Sequence, residues 1–195
     1  LAARNTAKAI ADMDISLEYA GSLIGGGAKK AMERVFGPDR PDLVEPAVAY
    51  FIKSYAANCC ELSKAYPGVP ETLEYFKGKV KLAVATAKIR SATETILKKL
   101  GLFDYFDAIV CDEDMTRMKP DPECVNIILN KLGVKPENAV MVGDMKTDVM
   151  ASRAAGVGAI AVSYGYGKLE DIKAESPDYI VGDLRELQKI IGVRP

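Results

Sequence analysis

The hydrophobic pattern divides the chain into two parts. Over residues 1–64 the apolar positions recur at helical spacing, and no stretch alternates with the period of two that a half-buried strand would show. Four helices are predicted, each bounded by a capping or helix-breaking residue. They cover Ala2–Ala11, a helix capped by Ser16 that runs to about Leu23, Ala28–Phe36 and Leu43–Ser63. The first part is therefore predicted to be a helical bundle.

From Gly68 onward short apolar, β-prone runs alternate with helical segments. The stretch Tyr66-Pro67-Gly68 is typical of a hinge. Alternation at this spacing predicts an α/β fold, with a parallel sheet and helices on both faces. Two domains follow, residues 1–66 and residues 67–195. The predicted strands are Val80–Thr86, Ala108–Cys111, Ala139–Val142, Ala159–Ser163 and Tyr179–Val181, and the helices around them include Pro70–Phe76, Ser91–Leu100, Pro122–Leu132 and Leu184–Ile191.

The third of these strands ends in Gly143-Asp144, and a helical pattern begins directly after it. Asp148 lies one helical turn beyond Asp144, so both carboxylates are expected in the crevice at the carboxyl ends of the strands, where α/β sheets bind ligands. Paired carboxylates suit a hard cation such as Mg²⁺. The alternative is that Asp144 only caps the helix and Asp148 is a solvated first-turn acid.

Net charge and hydropathy exclude several classes of partner. The formal charge is −1, with Lys and Arg spread along the chain, so no basic field for nucleic acid is expected. No apolar run approaches the ~20 residues of a membrane span, and no secretory pattern precedes the first helix. A cytoplasmic protein without membrane partners is expected.

The chain contains four cysteines and no histidine. Cys59 and Cys60 are adjacent, whereas Cys111 and Cys124 stand alone, so no zinc-binding spacing is present and buried free thiols are expected. Without histidine, Ser-His and Cys-His nucleophiles are excluded. Catalysis would have to use carboxylates, Lys, Ser or Thr, or a metal ion.

Two further residues stand where predicted strands end. The hydroxyl of Thr86 and the backbone N–H groups after it, beginning with Ala87, could hold a phosphate, although a threonine at a strand end also has an ordinary structural reading. Lys119 precedes the stiff turn Pro120-Asp121-Pro122 at a helix start. A cation fixed there could neutralise a phosphoryl group and a nearby carboxylate.

The helical part contains a glycine-rich loop, Ile24–Gly27, between two helices. At Gly26 and Gly27 the backbone could approach a ligand closely, or the loop could be a plain connector. It is not a dinucleotide-binding loop, because no strand precedes it. Lys29 just after it could attract an anionic substrate, although exposed lysines usually have no such role.

Thr86, then Lys119-Pro-Asp-Pro, then Gly143-Asp144-x-x-x-Asp148, in this order on successive strand ends, resembles the second, third and fourth motifs of the haloacid dehalogenase-like superfamily. Within it the segments Leu23–Gly27, Tyr66–Gly68 and Pro177–Tyr179 are most similar to phosphoglycolate phosphatases. The resemblance implies a Rossmann-like core over residues 67–195 and an inserted α-helical cap over residues 1–66.

The resemblance also implies the chemistry. Thr86, Ala87 and Lys119 would bind the phosphoryl group, Asp144 would ligate Mg²⁺, and Asp148 would support the metal shell or orient Lys119. The reaction would be Mg²⁺-dependent hydrolysis of a phosphate monoester of a small metabolite through an aspartyl-phosphate. Gly26, Gly27 and Lys29 would be candidate substrate contacts from the cap. A β-phosphoglucomutase or a pyrophosphatase would share the core.

One departure from the superfamily pattern bears on activity. The mechanism needs an Asp-x-Asp-Gly-Thr motif after an N-terminal, central strand, and the sequence has none. Asp12-Met13-Asp14 imitates the spacing, but a helical pattern precedes it, so a helix end and a turn are expected there. We therefore expect a fragment of the intact enzyme that is inactive as written. A non-catalytic binding module is the alternative.

Overall fold

The computed structural model describes residues 2–23, 26–58 and 63–192, with the backbone alone for residues 56–58. Its helices and strands, in chain order, are α1 (Ala2–Ala11), α2 (Leu17–Ser22), α3 (Gly27–Phe36), α4 (Val44–Asn58), α5 (Val69–Phe76), β1 (Ala83–Ala85), α6 (Arg90–Lys99), β2 (Ala108–Val110), α7 (Glu123–Leu132), β3 (Val140–Gly143), α8 (Lys146–Ala155), β4 (Gly158–Val162), α9 (Leu169–Ala174), β5 (Tyr179–Val181) and α10 (Leu187–Ile190). Single turns of 3-10 helix join several of them.

The chain forms two compact units. The helical unit comprises residues 1–63 and 87–99, and the α/β unit comprises residues 64–86 and 100–195. The change between them at residues 63 and 64 lies close to the predicted hinge at Tyr66. Helix α6, which the sequence pattern assigns to the second domain, groups with the helical unit.

The helical unit has its own apolar core. Met32 of α3, Ala7 of α1 and Ala47 of α4 are fully buried in it, which explains the helical spacing of apolar residues in this part of the sequence. The N-terminus of α2 is capped as predicted, since the Ser16 side chain accepts a hydrogen bond from the Tyr19 N–H at 3.0 Å. The hydroxyl of Tyr19 in turn donates to the Arg34 carbonyl at 2.7 Å.

The α/β unit contains only parallel strand pairs among its described residues. Strand β1 pairs with β2, and β3 pairs with β4, which pairs with β5. The described strands thus form two sheets, and β1 and β3 each have a partner on one side only. A parallel α/β arrangement is confirmed.

Helices cover both faces of the three-stranded sheet. Alternate residues of a strand point to opposite faces, and Ile160 and Val162 of β4 pack in one core with Phe76 of α5 and Leu187 of α10. The intervening residues of β4 pack instead with helices α8 and α9, through Val149 and Ile172. The α5 and α10 core also takes in residues that precede β1 and residues of β3, so one apolar layer serves both sheets.

Some features differ from the predictions or lie outside the described residues. Helix α9 was not predicted, because its six residues carry too short an apolar pattern to distinguish it from a loop. Cys111 and Cys124 are buried free thiols, as predicted, and burial raises the pKa of the Cys124 thiol. Cys59 and Cys60 fall outside the described residues. No helix in the described ranges is both long and apolar enough to span a membrane.

Candidate active site

The turn from β3 into α8 is built around the Asp148 carboxylate. Its Oδ2 accepts hydrogen bonds from the N–H groups of Asp144 and Met145, at 3.1 and 3.0 Å. A Cβ at Gly143 would lie 2.5 Å from this oxygen, so only glycine lets the carboxylate fold back over the strand end. The Gly-Asp-x-x-x-Asp spacing is therefore a local structural requirement of this turn.

The second oxygen of Asp148 pairs with Lys119. Lys119 Nζ lies 2.6 Å from Asp148 Oδ1, and the two side chains are only 15% and 8% exposed. Asp148 is thus not a solvated first-turn acid, the alternative that the sequence left open. The pair is a buried, charge-assisted contact, which fixes the position of the ammonium group.

Lys119 also reaches strand β1. Its Nζ donates to the carbonyl of Ala85 at 3.3 Å, and Thr86 follows directly. The Thr86 N–H donates to the Val110 carbonyl at 3.0 Å, which continues the pairing of β1 with β2 past the last strand residue. Lys119 therefore links the carboxyl end of β1 to the turn after β3. Thr86, Lys119 and the aspartates lie at the same end of the parallel strands.

A network of acceptors holds the segment around Lys119. The Glu123 carboxylate accepts from the Thr116 N–H and hydroxyl and from the Arg117 N–H. The Thr116 backbone bond is the main reason that the pKa of Glu123 lies below its usual value. Asp121 accepts from the Glu123 N–H at 3.0 Å at the start of α7. The peptide bond between Lys119 and Pro120 is cis. Sequence reasoning missed Glu123, since a glutamate in a first helical turn is common.

Asp144 accepts hydrogen bonds from the loop that follows β4. Its Oδ2 accepts from the Tyr166 N–H at 2.9 Å, and its carbonyl accepts from the Gly167 N–H at 3.2 Å. It does not cap helix α8, because Met145 occupies the N-cap position. Within the described residues Asp144 Oδ1 receives no hydrogen bond. Asp144 thus presents one carboxylate oxygen that remains available to a ligand.

These two carboxylates differ in what they offer a cation. Mg²⁺ takes hard oxygen ligands, keeps several waters, and usually binds proteins through one or two carboxylates. The available oxygen of Asp144 fits that requirement, whereas both oxygens of Asp148 already accept from protein donors. The part of the chain that the structure describes holds no group of three or more metal-ligating side chains. The residues present therefore fit a Mg²⁺ held by Asp144 and completed by other oxygens.

The remaining sequence candidates belong to the helical unit. Gly26 is the N-cap residue of α3 and Gly27 begins that helix, while Ile24 and Gly25 lie outside the described residues. Lys29 pairs with Glu45 at 3.2 Å on the surface. This pair lines an open cavity of about 470 Å³ in that unit. Ala87 is half-buried and begins the segment that groups with the helices.

The segment Asp12-Met13-Asp14, which has the spacing of an Asp-x-Asp motif, lies at a helix end and in a turn, as the sequence pattern predicted. Asp12 follows the last residue of α1, and Asp14 lies in the loop before α2. Both carboxylates are more than three-quarters exposed and pair with Lys8, at 2.8 and 2.9 Å. No strand precedes them in the described residues. Their contacts are those of a helix end and a turn.

Comparison with known proteins identifies the family of the chain. Residues 2–162 match the model of a family described as haloacid dehalogenase-like hydrolase. A phosphoglycolate phosphatase of Nitrosococcus oceani is 31% identical over 175 residues, which cover 87% of this chain and 78% of that protein. The pyrophosphatase PpaX of Halalkalibacterium halodurans is 36% identical over 155 residues, covering 79% of this chain and 72% of its own length.

A solved structure shares the fold closely. The crystal structure of a predicted phosphoglycolate phosphatase from Haemophilus somnus is 27% identical, with a TM-score of 0.88 over 97% of this chain and 88% of that one. The chain spans 65% and 62% of the length of phosphoglycolate phosphatases from Pseudomonas putida and Pseudomonas aeruginosa. With the family match covering most of its length, the chain belongs to the haloacid dehalogenase-like hydrolases and is similar to phosphoglycolate phosphatases within them.

Proposed function

We propose that the intact protein is a Mg²⁺-dependent hydrolase that acts on the phosphate monoester of a small metabolite. Phosphoglycolate is the leading candidate substrate. The observation that carries the proposal is the buried contact of Lys119 with Asp148 at the carboxyl ends of β1 and β3. A buried ammonium group fixed at this edge of the sheet is suited to offset charge on a transferring phosphoryl group. Its partner Asp148 is the residue that orients it.

Each of the other residues has a role in this proposal. Thr86 and the N–H of Ala87 bind phosphoryl oxygens at the end of β1. Asp144 holds the Mg²⁺ through its available oxygen. When bound, the cation supplies positive charge that offsets the negative charge of the phosphoryl oxygens. Of the two roles that the resemblance implies for Asp148, the geometry favours the orientation of Lys119.

The nucleophile of the proposed reaction is an aspartate that the described residues do not provide. Its carboxylate would attack phosphorus as the ester oxygen leaves and takes up a proton from a second aspartate two residues on. Water would then hydrolyse the aspartyl-phosphate and release inorganic phosphate.

Phosphate release from a substrate panel tests the proposal. The protein is expressed from its complete reading frame and assayed with para-nitrophenyl phosphate, 2-phosphoglycolate and hexose phosphates, with Mg²⁺ or with a chelator. The expected result is release that needs Mg²⁺, with 2-phosphoglycolate among the preferred esters. A folded protein that releases phosphate from none of these esters would contradict the proposed activity.

Pyrophosphate hydrolysis is the second candidate. It is favoured by the relative with 36% identity, which is described as a pyrophosphatase. The same site would serve, since pyrophosphate also presents a phosphoryl group to Lys119 and a cation. The ratio of kcat/KM for pyrophosphate to that for 2-phosphoglycolate decides between the two functions. A ratio well above one would favour the pyrophosphatase.

A further inference from the structure

In the loop between β4 and α9, residues 163–168, the backbone at Gly165 and Gly167 lies closer to Asp144 than a side chain at either position would permit. The Tyr166 N–H donates to the Asp144 carboxylate at 2.9 Å, and the Gly167 N–H donates to the Asp144 carbonyl at 3.2 Å. Two successive backbone donors therefore bind two of the three acceptor oxygens of a single residue. The loop and Asp144 come from neighbouring strands, β4 and β3, so the contact crosses from one strand end to the next.

The two glycines of this loop are required by space rather than by backbone conformation. A Cβ at Gly165 would overlap the Cβ and Oδ2 of Asp144 and lie 2.8 Å from its Cγ. A Cβ at Gly167 would overlap the Asp144 carbonyl oxygen and lie 3.1 Å from the Met145 Cα. Carbon atoms in contact are ordinarily about 3.5–4.0 Å apart. Neither glycine has the positive φ that Gly68 or Gly156 has.

This contact decides how the Asp144 carboxylate is oriented. The donor from Tyr166 engages Oδ2, so the carboxylate is not free to rotate about its side-chain torsions without losing a charge-assisted bond. Oδ1 is then presented in one direction. A methyl group at residue 165 or 167 would push the loop away, lengthen both bonds and release the carboxylate from this orientation.

We propose that Gly165 and Gly167 are positioning residues for the cation ligand, because they let the β4–α9 loop hold Asp144 through backbone donors. The inference rests on the proposed function, in which Asp144 binds Mg²⁺. It adds a second element to the site, since the proposed ligand is aimed by the neighbouring strand's loop as well as by its own turn. Groups that orient a metal ligand commonly change metal affinity about 10- to 100-fold when they are altered.

Metal binding by glycine variants tests the proposal without an activity assay. Mn²⁺ serves as the probe, followed by the loss of its free electron paramagnetic resonance signal, with Mg²⁺ as competitor. The variants are G165A and G167A, and the control is G182A, whose added Cβ would meet nothing closer than 3.9 Å. We expect about a 10-fold or greater loss of affinity in the first two variants and wild-type affinity in the control.

The variant D144N separates the proposal from the function on which it rests. If D144N abolishes Mn²⁺ binding while G165A and G167A bind as the wild type does, the positioning role is wrong and the metal assignment stands. If D144N binds Mn²⁺ with unchanged affinity, the metal assignment fails, and the positioning role fails with it.

Hydrogen exchange gives a readout that needs no metal and no glycine variant. In the wild type the Tyr166 amide is expected to exchange slowly, because it donates to a side chain of the same unit. D144A removes only that acceptor, so the Tyr166 amide should exchange about 10-fold faster or more. The Gly167 amide, which donates to the backbone carbonyl of residue 144, should keep its protection. An unchanged rate at Tyr166 would overturn the proposal.

Discussion

At the scale of single residues, Asp148 connects the parts of the candidate site. One of its oxygens accepts from the backbone at the end of β3, and the other pairs with Lys119. The carboxylate is 8% exposed, so its charge is largely withdrawn from water and depends on these partners. Asp148 therefore has a structural role, in accepting from the backbone of the turn, and a proposed chemical role, in orienting Lys119. Variants can separate the two roles.

Replacing Lys119 by methionine should impair both stability and turnover. K119M leaves the buried Asp148 carboxylate without its cation, so the free energy of unfolding should fall by about 3–5 kcal/mol. Turnover of an aryl phosphate by the complete reading frame should fall by about 10²–10³-fold, because a charge that stabilises the transition state is lost. Urea unfolding and steady-state kinetics measure the two effects.

A second substitution in the same background distinguishes these effects. D148N keeps an oxygen that accepts from the backbone of Asp144 and Met145, but it carries no charge that needs a cation. The double variant K119M/D148N should therefore regain part of the lost stability while its turnover stays low. If D148N lowers the free energy of unfolding as much in the K119M background as it does alone, the buried pair does not act as described.

At the scale of elements, the turn after β5 illustrates how local hydrogen bonds fix a strand end. Glu186 accepts from the N–H groups of Gly182 and Asp183, while the Asp183 carboxylate pairs with Arg185. The hinge residue Gly68 packs against it, since a Cβ there would lie 2.8 Å from Asp183 Oδ1. The Arg185 side chain, and then the Arg185 N–H, lower the pKa of Asp183 from 3.8 to about 2.

The lowered pKa of Asp183 predicts how this turn responds to acid. The folded state favours the ionised carboxylate, so its contribution to stability is complete above the unfolded pKa and is lost as the pH falls from about 4 to 2. D183N should therefore lower the urea midpoint at pH 7 and match the wild type near pH 2. D39N, at an exposed aspartate of the helical unit, is the matched control. A D183N difference that persists unchanged at pH 2 would contradict this assignment.

The extent to which the elements were predictable depends on where their stabilising contacts lie. Helix α1 and strand β5 were predicted at their observed limits, Ala2–Ala11 and Tyr179–Val181, because their patterns and boundaries are local. Strand β1 was predicted over Val80–Thr86 but spans only Ala83–Ala85, since pairing with β2 decides its length. Apolar sequence alone does not record which residues of a run find a partner.

The candidate site was also predictable only in part, because some of its contacts are not local in sequence. The order of Thr86, Lys119 and Asp144 along the chain indicated the edge of the sheet at which they lie. The division of tasks between the two aspartates was not predictable, because it depends on which oxygen each donor reaches. The contact of Gly165 and Gly167 with Asp144 was missed entirely. It arises from the approach of two strand ends that are distant in sequence, and two glycines in a loop have no distinctive pattern.

At the scale of the whole molecule, the two units have separate apolar cores. Met32 is fully buried among α1, α3 and α4, whereas Ile160 and Val181 belong to the sheet core of the α/β unit. A fold of this kind can lose packing in one core without direct loss of contacts in the other. Local stability can then differ between the units.

Truncating Met32 should affect the helical unit selectively. M32A removes a fully buried side chain, and changes of this kind cost about 2–5 kcal/mol. Amide hydrogen exchange should speed up in α1, α3 and α4, while the amides of β4 and β5 keep most of their protection. A uniform increase across both units would show that they unfold as one, contrary to this prediction.

The central claim is that Asp144 and Lys119 form one Mg²⁺-dependent phosphoryl site. The most direct test is the Mg²⁺ dependence of para-nitrophenyl phosphate turnover by the complete reading frame, wild type against D144N, with D171N at an exposed helix position as the control. We expect turnover to rise with Mg²⁺ in the wild type and in D171N. Turnover by D144N should be about 100-fold or more below that of the wild type. Equal Mg²⁺-dependent turnover in D144N and the wild type would contradict the account.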